Sequence, residues 1–538
     1  EQEEQEQDQE EEIINYNSLI TPKKVFDQPY LQSEEWFLTS SQINISTKGF
    51  DRKSLGISDY THGNHLTTLI TGEPFMKSIY DDIEMTNGNN DLIYLTGWLT
   101  RPDVMLLPQT EESASKSRIG DVWARAISRN VSSLTLVWRN ILPGMLDLLN
   151  EFHDIVTTTG EKNGLGPDRA NVIIDGRAPL PSGSHHQKSA IIKRKGEAIG
   201  YVGGIDLAHQ RWDTPDHCCA QSPPCASCEA VKRQPDMGEI IGWQDVHTRI
   251  RGPAVLDIEG NFVARWNDDE SPSVGVDNPP KIINRLKKSD VALSGIGTHS
   301  IQLLRTYICS YQSLCQHGCF VNNAPNGETS HRDALIKAFG LAKNFIYIED
   351  QYFVYEVEIL EALKSVVSRG IQLIVLTQEQ GNTPGYTTYQ HGMIEPLRKI
   401  CSTCVHIFVR SDSVYVHSKV VIVDDIFMTV GSNNINYRSM TYDTEISVAS
   451  VDQTTIKSAD NVIVGKLAWN TRISLWAIET EINSEKLKDY TVEKAIEEWH
   501  KRAKEGKHIK EFFPKEKKAE WSFRSLVDPD GTCELKSE

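Results

Sequence analysis

The chain carries one short pattern, a histidine and a lysine separated by one residue, in two places. The first copy is His186-Gln187-Lys188, and the second is His417-Ser418-Lys419, 231 residues later. A hydrophobic run and then a turn of small residues follow each copy, Gly203-Gly204 in the first case and Gly431-Ser432 in the second. Two copies of one half-site predict a duplicated fold with a single site where two similar lobes meet.

The chemistry of this pattern follows from the geometry of a β-strand, in which residues i and i+2 point to the same side. The histidine and the lysine of each copy therefore project together. Lysine supplies a fixed positive charge with three donors, and histidine supplies a nucleophile or a proton carrier near neutral pH. A single copy is typical of any surface strand, but two copies in corresponding places predict a site for a phosphodiester.

The second copy is the more complete one. It fits the longer pattern HxKxxxxDxxxxxxGSxN, and its apolar stretch from Val420 to Val423 predicts a buried strand. The residues that fit the pattern are His417, Lys419, Asp424, Gly431, Ser432 and Asn434. In the first copy, the position of the motif aspartate holds Lys193.

These patterns resemble the phospholipase D superfamily, and specifically its eukaryotic, plant-like branch. The similarity runs from about Ile93 to Trp476. The further stretches that carry it are Tyr94–Trp98, similar to IYITGW; Gly203–Leu207 with Arg211–Thr214, similar to GGxDLxxxRxDT; Ile346–Phe353, similar to IYIENQYF; Asn434–Met440; and Ser474–Trp476. The resemblance implies two similar α/β lobes with mixed sheets flanked by helices and one active site between them.

The resemblance also implies roles for the paired residues. His186 is expected to attack phosphorus and form a phosphohistidine, and His417 to protonate the leaving alcohol. Lys188 and Lys419 would hold the nonbridging oxygens. The residues expected to bind substrate are Gly203, Gly204, Ser432, Asn434, Trp98 and Gln351. No metal or cofactor is expected in this chemistry.

Each histidine needs a carboxylate that fixes its tautomer. Glu445 is the candidate for His417, because it lies 28 residues later at the start of an apolar segment, where the superfamily keeps an acid. Asp245 is the matching candidate for His186. Two other acids, Asp206 and Asp213, are rivals of Asp245.

Lys193 is the main departure from the family pattern. The resemblance implies that the motif aspartate is structural, so we expect activity to survive its replacement. A regular strand places Lys193 on the face opposite Lys188, since the two are five positions apart. The alternative is a degenerate first half-site in a catalytically dead scaffold protein.

Length and composition predict the organisation of the chain. With 538 residues and 39% hydrophobic content, it can bury a large core. We predict an acidic disordered leader over residues 1–30, a first catalytic lobe over 31–285 and a second over 286–538, joined by a linker within Asn267–Pro280. Strands predicted at Leu134–Trp138, Asn171–Ile174, Phe345–Ile348 and Ile371–Leu376 alternate with helices predicted at Arg332–Lys343 and Glu358–Arg369, which indicates an α/β class. The charged tail Val492–Lys518 predicts a solvated surface helix.

Ten cysteines lie mostly in local clusters. Disulfides are favoured over a zinc site built from Cys225, Cys228, Cys401 and Cys404, because Cys218 and Cys219 are adjacent in a loop with proline and serine. N-glycosylation sequons occur at Asn44 and Asn130. The chain starts without methionine, and we expect that a signal segment has been removed. A secreted or lumenal glycoprotein is therefore expected.

The substrate is expected to be a glycerophospholipid such as phosphatidylcholine at a membrane surface. The net charge of −18 makes nucleic acid an unlikely partner, although a secreted nuclease of the same superfamily is the main rival. No apolar run is long enough to predict a membrane span. The sequence contains no recognisable lipid-targeting module, and it leaves headgroup preference and oligomeric state open.

Overall fold

A computed structural model describes residues 20–139, 144–178, 183–232, 241–268, 286–289, 293–309, 322–379 and 385–532. Its strands are β1 Thr61–Ile70, β2 Leu92–Gly97, β3 Ser132–Trp138, β4 Ala170–Asp175, β5 Ser189–Arg194, β6 Glu197–Gly203, β7 Gly242–Gln244, β8 Val246–Arg251, β9 His299–Thr306, β10 Phe345–Asp350, β11 Gln372–Thr377, β12 Val405–Arg410, β13 Val414–Val416, β14 Lys419–Val423, β15 Phe427–Gly431, β16 Glu445–Asp452, β17 Thr455–Lys457, β18 Ile463–Gly465 and β19 Ile509–Glu511. Its α-helices are α1 Ser33–Trp36, α2 Ser40–Ser46, α3 Gly72–Glu84, α4 Glu111–Lys116, α5 Ile119–Ser128, α6 Met145–Lys162, α7 Ala226–Lys232, α8 Ala254–Trp266, α9 Ser330–Leu341, α10 Val357–Ser368, α11 Tyr386–Ile400, α12 Lys466–Thr480, α13 Ser484–Leu487, α14 Val492–Glu505 and α15 Arg524–Val527.

Most of the described strands form one mixed sheet in two corresponding halves. From its centre outward, the first half runs β1, β8, β6, β5, β2, β3, β4, and the second runs β9, β16, β15, β14, β10, β11, β12, with β19 at its edge. The two halves meet where β1 pairs antiparallel with β9. The predicted duplication of an α/β unit is therefore confirmed, but the two sheets are continuous across the centre rather than separate.

The parallel strands of each half explain why their sequences are apolar on both faces. In the second half β10, β11 and β12 are parallel neighbours, and helices α10 and α11 connect them. Every residue of these three strands is buried. Parallel strands require crossover helices that cover the sheet, so continuous apolar runs are expected in them. The strands and helices predicted from residues 134–174 and 332–376 are confirmed within two residues at each end.

The core lies on both sides of the sheet. Helices α8 and α12 contribute to a central hydrophobic cluster that includes strand residues of both halves. The segment before β1 packs on the second half, where Trp36 stacks on Phe427 with ring centroids 5.8 Å apart. The predicted start of the first lobe at residue 31 stays a prediction. The predicted lobe boundary at 285–286 stays a prediction, because residues 269–285 lie outside the described chain.

The charged tail is only partly helical. Helix α14 ends at Glu505, and residues 509–511 form strand β19, so the helix predicted to Lys518 is too long. Burial of Ile496 and Trp499 shows that one face of α14 packs on the core. The apolar residues recur at helical spacing among the charges, which is the pattern of an amphipathic helix. No helix in the described ranges is both long and apolar enough to cross a bilayer.

The cysteines bond within their own clusters. Cys218 pairs with Cys225, Cys219 with Cys228, and Cys401 with Cys404. The four-thiolate zinc site is therefore wrong, because Cys225 and Cys228 are bonded to Cys218 and Cys219, and Cys401 is bonded to Cys404. Of the other predicted features, most of the acidic leader, most of the linker, Cys315, Cys319 and Cys533 lie outside the described residues.

Candidate active site

The two pattern histidines are each held by a carboxylate from the opposite half of the sheet. His186 Nδ1 lies 3.0 Å from both carboxylate oxygens of Glu445. His417 Nδ1 lies 2.6 Å from Asp245 Oδ2. The sequence interpretation chose both acids but exchanged their partners, so its assignment of Glu445 to His417 and of Asp245 to His186 is wrong.

Backbone pairing between the halves explains the exchange. Strand β13, just before His417, pairs in parallel with β7, just before Asp245, and His417 N donates to Gln244 O over 2.8 Å. In the other half-site His185 bridges in parallel to Thr444, and His186 N donates to Thr444 O over 2.8 Å. Each histidine therefore enters the site next to the acid of the other half.

The two lysines have different surroundings. Lys188 Nζ lies 3.4 Å from Asp206 Oδ2 and donates to His186 O over 3.0 Å. Lys419 Nζ donates to Gln351 Oε1 over 3.2 Å and also to the carbonyl of His417. Burial lowers the pKa of Lys419 to about 8. The rival acid Asp206 thus pairs with a lysine rather than with a histidine.

The small residues after each pattern lie beneath the site. An ideal Cβ on Gly204 would lie 2.1 Å from Asp245 Oδ1, and one on Gly203 would lie 2.4 Å from His247 Cα. The missing side chains let His247 pack against Gly203 and the Asp245 carboxylate pack against Gly204. The predicted contact of these glycines with substrate stays a prediction. Ser432 Oγ donates to Glu445 Oε2 over 2.5 Å, and this serine therefore orients the acid.

The motif aspartate of the second half is a structural acceptor. Asp424 accepts from the backbone N–H groups of Lys343, Asn344 and Phe345 at 2.6–2.9 Å. In the first half Lys193 Nζ instead lies 2.7 Å from Glu259 Oε1 on α8. This ion pair directs Lys193 to the helix that covers the sheet.

Both histidines open into one cavity of about 680 Å³. Predicted site residues Trp98, Gln351 and Asn434 line it as well. The other lining residues are Trp138, Ser184, Asp206, Gln210, Arg211, Ile241, Trp243, Tyr352, Tyr415, Asn436, Arg438, Ser439 and Asp443. Aromatic rings form much of this wall, which gives a mixed apolar and polar surface suited to an amphiphilic ligand.

Most residues of this wall are not among the predicted site residues, and two of them, Trp243 and Arg211, form a stack beside His417. Trp243 lies with its ring centroid 5.0 Å from that of His417, and the Arg211 guanidinium lies 4.0 Å from the same indole. Arg211 falls inside a stretch that carries the family resemblance, and Trp243 lies two residues before Asp245. Their stacking depends on contacts between distant segments. The remaining rival acid, Asp213, accepts from Trp243 N over 2.8 Å and so supports this wall.

Burial controls the protonation of the site. It raises the pKa of Asp245 and of Glu445 to about 7, and it lowers the pKa of His186 and His417 well below the usual value. The positive charges of Lys188 and Lys419 add to the lowering at His186. Each histidine and its carboxylate share protons as one unit. Both units can therefore gain or lose a proton near pH 7.

Comparisons with known proteins agree with this geometry. The family model described as "Phospholipase D" matches residues 85–374, and the one described as "Cardiolipin synthase, PLD-like domain" matches residues 335–464. Phospholipase D beta 2 of Arabidopsis thaliana is 24% identical, with 72% of this chain and 54% of that protein covered. Phospholipase D A of Dictyostelium discoideum is 25% identical, with 71% of this chain and 33% of that protein covered.

A solved structure, phosphatidylserine synthase of Haemophilus influenzae, is similar with a TM-score of 0.47 and 14% identity over 72% of this chain and 82% of its own. The chain spans about half the length of the first of the curated relatives it matches. The first family model covers more than half of the 538 residues, from the residue after α3 to β11. The chain belongs to the phospholipase D family.

Proposed function

We propose that this protein is a phospholipase D, which hydrolyses the headgroup phosphodiester of glycerophospholipids to phosphatidic acid and an alcohol. The observation that carries the proposal is the single cavity into which both histidines open, each with a lysine two residues later and a carboxylate from the opposite half. Such a set provides a nucleophile, an acid and fixed positive charge around one phosphorus atom.

The first step forms a phosphohistidine. His186 Nε2 attacks phosphorus while its Nδ1–H donates to Glu445, so a P–N bond forms and the P–O bond to the headgroup alcohol breaks. The leaving oxygen takes a proton from Nε2 of His417. Asp245 lies against Nδ1 of His417 and stabilises the imidazolium that supplies this proton. Lys188 and Lys419 offset the charge on the nonbridging oxygens, and Asn434 adds a donor at the cavity wall.

The second step releases the product. Neutral His417 takes a proton from water, and the water oxygen attacks phosphorus and displaces His186. Another alcohol can replace water in this step, because the same general base activates either hydroxyl. Transphosphatidylation is therefore expected as a side reaction. The aromatic wall formed by residues such as Trp98, Trp138 and Tyr415 would contact the apolar part of the lipid and the headgroup.

Incubation with phosphatidylcholine and ethanol tests the proposal. The expected products are phosphatidic acid and phosphatidylethanol, and both should disappear in the His186→Ala variant. Release of nucleotides from single-stranded DNA with the lipid untouched would support a nuclease instead. If the purified protein converted neither substrate, the catalytically dead scaffold would be the better description.

We also propose that the protein works in an oxidising compartment, secreted or lumenal, and carries glycans. The bonded pairs Cys218–Cys225, Cys219–Cys228 and Cys401–Cys404 support this, because such bonds persist mainly outside the cytosol. The sequon residue Asn44 is exposed. Mass spectrometry of the protein from its native source, before and after reduction and deglycosylation, tests both parts. Fully reduced cysteines would contradict the compartment.

A further inference from the structure

The segment after β19 exposes large apolar side chains beside lysines. Phe513, Phe523 and Leu526 are 63%, 58% and 56% exposed. Three exposed lysines lie between Phe513 and Phe523 in the sequence, namely Lys515, Lys517 and Lys518. We define the basic aromatic surface as Phe513, Lys515, Lys517, Lys518, Phe523 and Leu526. Exposed aromatic residues interleaved with lysines are typical of segments that lie at a lipid interface.

This segment is held against helix α11. The Arg398 guanidinium lies 4.2 Å from the Phe513 ring, and Lys517 N donates to Thr388 Oγ1 over 3.0 Å. Arg398 and Thr388 are ten residues apart, which is about 15 Å along a helix. The described contacts thus hold the backbone of the segment while leaving the three apolar side chains in solvent.

The end of the segment adjoins the wall of the catalytic cavity. Asp528 accepts from the backbone N–H groups of Tyr437 at 3.3 Å and of Arg438 at 2.9 Å, and Arg438 lines the cavity. The Arg524 guanidinium lies 4.2 Å from the Tyr437 ring. Arg524, between Phe523 and Leu526 in the sequence, and Asp528, two residues after Leu526, therefore contact the segment at 437–438 that reaches the cavity wall.

The local charge has the opposite sign to that of the whole protein. Residues 513–528 contain four basic residues, Lys515, Lys517, Lys518 and Arg524, and three acidic ones, Glu516, Glu520 and Asp528, so the segment is positive by one. Lys517 lies 3.6 Å from Glu520 and Arg524 lies 3.5 Å from Asp528. The complete chain carries −18. A positive patch on an acidic protein complements lipid phosphates, with lysine stems lying along the apolar region and their ammonium groups reaching the headgroups.

We infer that the basic aromatic surface docks the protein on a phospholipid bilayer and places the cavity mouth against its lipid substrate. Phe513, Phe523 and Leu526 enter the boundary between headgroups and acyl chains, and the lysines contact phosphates. The inference rests on the proposed lipid substrate and adds the surface by which the enzyme reaches it.

Vesicle binding tests the surface separately from catalysis. The variant Phe513→Ser/Phe523→Ser/Leu526→Ser is compared with the wild type in co-sedimentation with phosphatidylcholine vesicles. We expect its partition coefficient to fall about tenfold or more, since three interfacial side chains are lost. The control Val25→Ser/Ile45→Ser removes apolar residues that are 78% and 73% exposed elsewhere, and it should bind like the wild type.

A second variant, Lys515→Gln/Lys517→Gln/Lys518→Gln, should weaken binding most at low salt and most on vesicles that contain phosphatidic acid. Equal melting temperatures confirm that the exposed substitutions leave the fold intact. Unchanged vesicle binding in both variants would overturn the inference. Loss of single-stranded DNA binding or of a dimer, with vesicle binding unchanged, would assign the surface to those partners instead.

Hydrolysis of a short-chain phosphatidylcholine below its micelle concentration separates the two proposals. The apolar triple variant should keep the wild-type rate on this monomeric lipid and lose activity on vesicles. If the wild type converts neither monomeric nor vesicle phosphatidylcholine, the proposed function is wrong, while the vesicle partition still decides the docking surface.

Discussion

Asp245 Oδ2 lies 2.6 Å from His417 Nδ1 although 172 residues separate them along the chain. The corresponding acid, Glu445, contacts His186 across 259 residues. Each half-site is thus completed by the other half of the sheet. The carboxylate that contacts each histidine therefore comes from the opposite half, and the two halves share one continuous sheet and one cavity.

A double-mutant cycle measures this crossed pairing. His417→Ala and Asp245→Asn should show a coupling of about 1–3 kcal/mol in the free energy of unfolding, because they remove the two partners of one buried hydrogen bond. The measurement is made above pH 7, where both carboxyls are ionised. His417→Ala and Glu445→Gln should instead add within about 0.5 kcal/mol. Coupling between His417 and Glu445, together with additivity between His417 and Asp245, would instead support a pairing of each histidine with the acid of its own half.

The roles of the histidines can be separated with a reactive leaving group. Phosphatidyl-p-nitrophenol needs little help from an acid in the first step, so His417→Asn should release about one equivalent of p-nitrophenol and then stop. Mass spectrometry should find the phosphatidyl group on His186. His186→Ala should give no burst and lose at least about a hundredfold in rate. A burst in His186→Ala, with none in His417→Asn, would exchange the two roles.

The pH profile should be bell-shaped with its maximum near pH 7. The mechanism needs the His186–Glu445 unit without its extra proton and the His417–Asp245 unit with it. Because the pKa of each carboxyl is raised to about 7, activity should fall below pH 7 as Glu445 takes up a proton. It should fall above pH 7 as the Asp245 unit loses one, and further above pH 8 as Lys419 is neutralised.

Variants of the two acids show which histidine–carboxylate unit causes the fall in activity on each side of the pH profile. Glu445→Gln should alter the acidic side, and Asp245→Asn the alkaline side, in measurements of kcat/KM against pH. If Glu445→Gln moved only the alkaline side, His186 would be the acid of the first step.

The sequence pattern predicts both histidines, both lysines and both acids because local repeats carry them. In each half a small-residue turn ends one strand, β6 or β15, and the acid lies at or directly before the start of a later strand, β8 or β16. The two acids therefore occupy corresponding positions. Which acid meets which histidine depends on the pairing of β7 with β13. That pairing joins distant segments of three residues each, and no local periodicity marks it.

The residues of the cavity wall are harder to predict than the histidines and acids, because their positions also depend on contacts between distant segments. Trp243 becomes a wall residue only because β7 places it beside Tyr415, with ring centroids 4.9 Å apart. A tryptophan near an acid in the sequence is as consistent with the core as with a cavity. The glycines at 203 and 204 admit a neighbouring backbone and carboxylate, a close approach that depends on distant segments and that no local pattern marks.

Lys193→Asp should change stability more than turnover. Lys193 pairs with Glu259, whose side chain is 2% exposed, so reversing its charge leaves a buried carboxylate beside another acid. We expect a loss of about 3 kcal/mol in unfolding free energy and turnover within about tenfold of wild type. The double variant Lys193→Asp/Glu259→Lys should recover part of that stability. Loss of more than about a hundredfold in turnover at an unchanged melting temperature would place Lys193 in the catalytic site.

Gly204→Ala should damage the site from beneath. Its Cβ would lie 2.1 Å from Asp245 Oδ1 and 2.9 Å from Asp245 Cγ, so the carboxylate must move away from His417 Nδ1. A displacement of this size can lower the rate about a hundredfold, because His417 loses the group that orients it. Gly340→Ala is the matched control, since its Cβ meets nothing within 4 Å and Gly340 lies in helix α9. The measurements are kcat on monomeric lipid and the melting temperature. Wild-type kcat in Gly204→Ala would mean that Asp245 is dispensable for orienting His417.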